Sequence, residues 1–240
     1  EFECEFLGSV DTLISSAKLK SLVYDEPIKS HRGLDIYFEP IKNHDYVITV
    51  DVARGVGIDY SAFIITDITT FPHKVIGKYK NNEIKPMLFP SIIVDIAKAY
   101  NNAFILCEVN DIGDQVASII QYDLEYDNLL LCSMRGRAGQ IVGQGFSGKK
   151  TQLGVKMSKT VKKVGCSNLK TLIEDEKVVS IERMCIIFTK LIHHSFCLYA
   201  TILLIFSQKP RTSRARRWAF RRSCCCISFA ALACFVSLVL

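Results

Sequence analysis

Between residues 44 and 180 the apolar positions fall into short runs separated by turn chemistry. Residues 46–50 are an uninterrupted strand-type run that ends at Asp51, and Gly55 and Gly57 mark a turn. Asp59 follows, then a second apolar run over 62–66, so the pattern predicts a β-hairpin with an acid on each side of its turn. A third strand is predicted over 74–80. Pro86 and Pro90 then open a helix over 91–100, with Ile92, Ile93, Ile96 and Ala97 on one face. The next strand, 104–109, carries Glu108 in a mostly apolar run. Gly113 leads into a helix over 114–125 with Val116, Ile119, Ile120 and Leu124 inward. A strand over 129–132 and a helix over 156–173 complete the series. Strands with helices between them predict an α/β fold with a mixed sheet and flanking helices.

The flanks read differently. Residues 1–40 are expected to form a connector: a short strand-like piece at 3–9, a helical turn or two at 13–22, then breaks at Pro27, Gly33 and Pro40. The stretch 134–151 is glycine-rich and loose. The text after 183 departs from the rest: an apolar stretch over 184–206, an arginine run over 209–222, and a largely apolar run of seventeen residues over 224–240, the short limit for a membrane span. The expected organisation is therefore a connector (1–40), an α/β domain (41–182) and an aberrant tail (183–240).

Charge sharpens that division. The chain carries a net +6, yet residues 1–182 hold 21 Lys and Arg against 24 Asp and Glu, while residues 183–240 hold nine Lys and Arg and no acid. The positive balance belongs to the tail and does not mark the folded part as basic. Inside that part, one acid-free stretch from Leu129 to Ile173 gathers nine basic residues, among them Arg135, Arg137, Lys149 and Lys150. Such a stretch can follow a phosphate backbone, and it can also be a solvated loop and the polar face of a helix. Four scattered cysteines (Cys4, Cys107, Cys132 and Cys166) suit a reducing cytosol.

The acids hold the most chemistry. Charged residues in strands that want burial are costly unless partnered, and a hard divalent cation is one partner for carboxylates. Asp51 and Glu108 are the candidate metal ligands on this ground; a capped strand end or a surface pair is the plain alternative. Asp59, after a glycine, is also ordinary turn chemistry. Gly143 to Lys150 nearly fits a phosphate-binding loop, but Lys150 stands where the metal-binding hydroxyl is needed. His193 and His194 are adjacent and point apart on a helix or strand, which disfavours a joint metal site.

Together the motifs resemble the large terminase subunits of tailed bacteriophages, the DNA-packaging motors. Glu5-Phe6-Leu7-Gly8-Ser9 and Thr12-Leu13-Ile14 look like the end of their ATPase half. Thr49-Val50-Asp51, Gly57-Ile58-Asp59-Tyr60 with Ala62, Glu108-Val109-Asn110 with Gly113, Asp123-Leu124-Glu125-Tyr126 and Val164 to Lys170 with Leu172-Ile173-Glu174 look like the nuclease half that follows. The resemblance covers residues 1–180 in order. It implies a ribonuclease-H-like fold and cleavage of double-stranded DNA with two Mg²⁺ or Mn²⁺ ions. Asp51 and Glu108 would be the first two metal-binding acids, and Asp59 an accessory acid near them. The implied partners are DNA, the phage portal and the small terminase subunit, in the host cytoplasm and with no membrane partner. ATP would belong to the missing half.

The family's third acid is expected near the C-terminus in an Asp-Asp-Leu-Val segment, yet no acid follows Glu182. Phe206-Ser207-Gln208-Lys209 resembles the family text before that segment. One permitted spelling of Phe220-Arg221-Arg222-Ser223-Cys224-Cys225, begun one nucleotide later, reads Phe-Asp-Asp-Leu-Val. The tail is therefore expected to be frameshifted and the site incomplete. A resolvase- or integrase-like nuclease of the same fold, a non-catalytic DNA-binding remnant and a membrane-anchored protein are the rival readings.

Overall fold

The computed structural model describes residues 26–133, 140–144 and 151–179. Strands β1 (Lys29–His31), β2 (Leu34–Ile36), β3 (Tyr46–Asp51), β4 (Ser61–Asp67), β5 (His73–Asn81) and β6 (Phe104–Cys107) lie in the order β1-β2-β5-β4-β3-β6. All neighbours on this path are antiparallel except β3 and β6, which run parallel. Strand β7 (Leu130–Ser133), read from the sequence as the next strand, instead centres a separate three-stranded sheet between β8 (Ile141–Gln144) and β9 (Thr151–Gln152). It meets the main sheet through a bridge from Leu129 to Ile105. The last described strand, β10 (Val178–Val179), pairs in parallel with the start of β5. The fold is the mixed α/β arrangement expected.

The central strands are apolar on both faces because helices cover both. On one side Ile48, Val50, Phe63 and Ile65 pack against α1 (Phe89–Ala99) and α2 (Gly113–Ser118). There Phe63 stacks on Tyr79 and Phe89, with ring centroids 5.0 and 6.1 Å away. On the other side Val47, Ile64 and Leu106 pack against α3 (Lys159–Glu174) through Val161, Leu169 and Leu172. Pro90 lies inside the first turn of α1, where its missing N–H is no loss.

Three local features differ from the sequence expectation. Residues 26–40, read as connector, supply the β1–β2 hairpin that extends the sheet at β5. Gly33 does not break this piece; at φ +87 it makes its turn. Helix α2 is shorter than the periodicity of 114–125 implies, because it widens at Ile119–Asp123 into a π-helical turn closed by the Leu124 N–H donating to the Ile119 carbonyl at 2.9 Å. Strand β8 forms in a stretch read as loose loop. Arg135, Arg137, Lys149, Lys150 and the whole tail lie outside the described residues. Among the described residues no helix is long and apolar enough to cross a membrane.

Two glycines let the chain close tightly around the end of β6. A Cβ on Gly154 would run into the Cys107 carbonyl, and one on Gly113 into the Glu108 carbonyl. Gly113→Ala should therefore cost about 1–3 kcal/mol by overpacking. Urea unfolding of the variant checks this; an unchanged midpoint would mean that the segment from 108 to 113 yields freely.

Candidate active site

Strands β3 and β6 pair with Val50 opposite Cys107, so the next residue on each, Asp51 and Glu108, stand side by side. The Glu108 N–H donates to the Val50 carbonyl at 2.9 Å, which carries the pairing up to the acid. Side chains alternate along a strand. Asp51 therefore shares a face with Val47 and Thr49, and Glu108 shares that same face with Phe104 and Leu106, beneath α3. The sequence placed both acids in strands; the parallel register brings them together.

Their environments differ. Asp51, at the strand end, is half-buried, while Glu108 is only 3% exposed. Burial is the larger cause, and the neighbouring Asp51 charge the second, that push the Glu108 carboxyl up to about 8; Lys162 on α3 acts in the opposite sense. Two adjacent carboxylates in a poorly solvated place favour a bound proton or a cation between them. Two acids suit a hard ion that keeps several waters. Among the described residues, no group of three or more His, Cys, Asp or Glu side chains is assembled to hold a metal.

The surrounding loops fix this pair. The Asn110 side chain clamps Met157, its Oδ1 accepting from the Met157 N–H at 2.9 Å and its Nδ2 donating to the Met157 carbonyl at 3.1 Å. Val155 N–H donates to the Cys107 carbonyl and Val109 N–H to the Val155 carbonyl, at 2.9 and 3.0 Å. Directly after Met157, Ser158 caps α3, its hydroxyl accepting from the Val161 N–H at 3.3 Å. The chain from Glu108 is thus tied to the start of the helix that carries Lys162. At the mouth, Arg54 and Asp111 form a bidentate pair at 2.8 and 2.9 Å between the loops that follow β3 and β6. The hydrogen bond from Arg54 holds the Asp111 carboxyl below its ordinary range.

Asp59 lies exposed in the β3–β4 connection, away from the strand ends that carry the other two acids in sequence. Lys162, Asn110, Arg54 and Asp111 were not singled out as site residues from the sequence alone. Lys162 had a usable signal: it shares a helical face with Cys166, Leu169 and Ile173, the last two buried. The Asn110 clamp and the Arg54–Asp111 pair had none, since each joins residues far apart in the chain.

The terminase RNaseH-like domain family matches residues 48–193, a span that includes Asp51, Glu108 and Lys162. Among solved structures, the large terminase nuclease from thermophilic phage G20c with bound magnesium superposes with a TM-score of 0.58 at 18% identity, over 84% of this chain and 99% of that one. The same nuclease with bound zinc gives 0.55 at 18% identity, over 81% and 98%. The Thermus phage P74-26 large terminase nuclease domain gives 0.50 at 17% identity, over 72% and 74%. At these identities the likeness speaks for the fold, whereas the family match spans more than half of the sequence. The chain belongs to the terminase RNaseH-like domain family.

Proposed function

We propose that this chain is a metal-dependent endonuclease domain that cuts double-stranded DNA during phage genome packaging, in the cytoplasm of a bacterial host. The observation that carries this reading is the placement of Asp51 and Glu108 side by side on one sheet face, with Glu108 buried. Asp51 and Glu108 are the residues that would hold Mg²⁺ or Mn²⁺, and the similar G20c nuclease was solved with magnesium. When bound, such ions supply Lewis acidity and a water of lowered pKa. The chain's own groups do the rest. Glu108 holds its proton more tightly than an ordinary carboxyl, the positive charge of Lys162 favours its release, and Asp59 is the accessory acid of the reading. The basic residues Arg135, Arg137, Lys149 and Lys150 would follow the DNA backbone, with the portal and small terminase subunit as assembly partners.

Two acids hold a pair of ions poorly, and residues 183–240 contain none. Activity of the chain as written is therefore proposed to be impaired, with the frame shifted near Lys209. A second reading, a DNA-binding remnant without cleavage, is favoured by the same two-acid site.

Three outcomes test this. First, folding favours the protonated form of Glu108, since its pKa is raised from 4.5 to about 8. That contribution is fully present below the lower value and lost as pH rises through the upper one. Without divalent ions the protein should lose stability, on the order of a few kcal/mol, between these values. Glu108→Gln should flatten that slope in urea melts across the pH series. Second, Mn²⁺ binding followed by isothermal titration should disappear in Asp51→Asn; undiminished binding would remove Asp51 from the metal site. Third, Mn²⁺-dependent plasmid nicking should be weak for the chain as written and at least tenfold stronger after the frame near Lys209 is restored, as the return of a metal-binding acid implies. Equal, robust nicking by both would refute the frameshift.

A further inference from the structure

The mouth of the site is framed in a regular way. Strands β3 and β6 run parallel and in register; β3 ends at Asp51, and Glu108 directly follows β6. At the third position beyond Asp51 stands Arg54, and at the third beyond Glu108 stands Asp111. The bidentate ion pair between them joins the loops that follow the two strands. Both side chains are exposed, at 69% and 61%, so the pair contributes little to stability.

The backbone that presents Arg54 is nevertheless firmly held. Ala53 N–H donates to the hydroxyl of the buried Ser61 at 3.0 Å, and that hydroxyl donates to the Ala53 carbonyl at 3.2 Å. Gly55, at φ +67, packs so closely on the Ile84 carbonyl that a Cβ would collide with it. Gly57 and Asn82 bond each other twice, Gly57 N–H to the Asn82 carbonyl at 2.9 Å and Asn82 Nδ2 to the Gly57 carbonyl at 3.1 Å. A fixed loop thus presents a water-exposed guanidinium, whose planar fork matches two oxygens of a carboxylate or a phosphate equally well.

We propose that Arg54 is a phosphate-anchoring residue for DNA, and that Asp111 is its placeholder, exchanged for a backbone phosphate when the duplex enters. The inference rests on the reading of this domain as acting on DNA. Asp111 keeps the guanidinium aimed across the mouth in the free protein, and the exchange costs little because the pair is solvated. The anchored phosphate would lie beside the one that reaches Asp51 and Glu108, which makes Arg54 a positioning residue.

The two partners then have opposite effects on binding, which a loop latch would not produce. Binding of a labelled duplex by the full chain is measured in EDTA, so that metal binding and cleavage play no part, over a salt series. Arg54→Ala should weaken binding about tenfold and lower the slope of log K against log salt by about 0.9, the value of one phosphate contact. Arg54→Lys should keep that slope. Asp111→Asn should tighten binding several-fold, because the guanidinium no longer has a competing carboxylate. An unchanged affinity or slope in Arg54→Ala overturns the proposal, as does Asp111→Asn binding no better than the parent chain. If the parent chain itself binds no duplex, the DNA reading fails along with it. If the parent binds and only the variants miss their expected effects, the anchor alone fails. Thermal melts of the three variants should match the parent, since the pair is exposed.

Discussion

Parallel pairing of β3 with β6 sets two carboxylates against each other where water is scarce, and the arrangement of this domain serves that juxtaposition. Strand pairing fixes side-chain positions to a fraction of a residue, and a slip by one would turn Glu108 to the opposite face. The register is held from the far side as well. Val155 bridges to Glu108, and Leu129 to Ile105. A buried carboxyl whose protonation is favoured by burial and by its neighbour is a place where the fold gives up stability. Such a loss is recovered when a ligand binds the folded state.

The packing explains how the position is kept. Helices α1 and α2 seal one sheet face with a nearly all-apolar cluster, which gives β3 and β4 a rigid backing. Helix α3 covers the other face; its apolar residues meet Val47 and Leu106, and its Lys162 acts on the charge of Glu108. The sheet is thus apolar beneath α3 and becomes charged where the strands end. Gly113, Gly154 and Asn110 allow three backbone segments to converge there.

Electrostatics grade outward from that point. At the strand ends lie the acids, beyond them the solvated Arg54–Asp111 pair, and α3 carries further lysines, with Lys159 and Lys163 exposed. Paired carboxylates in a poorly solvated place and exposed cations farther out set opposite fields close together.

Much of this was legible in the sequence. The strands β3 to β6, the helices on either side and the two strand-borne acids follow from local pattern: apolar runs of strand length, proline and glycine punctuation, and helical periodicity. The β1–β2 hairpin was missed because Pro27, Gly33 and Pro40 read as breaks, whereas its pairing to β5 comes from a neighbour distant in sequence. The placing of β7 in a second sheet escaped for the same reason: a strand's propensity does not say which sheet it joins. The sequence by itself determined the fold class and which carboxylates sit in strands, because both depend on residues close together along the chain. Only the tertiary structure decided that Asp51 and Glu108 share one face, that Lys162 acts on Glu108, and that Arg54 meets Asp111, because each of these requires a register between segments far apart in the chain.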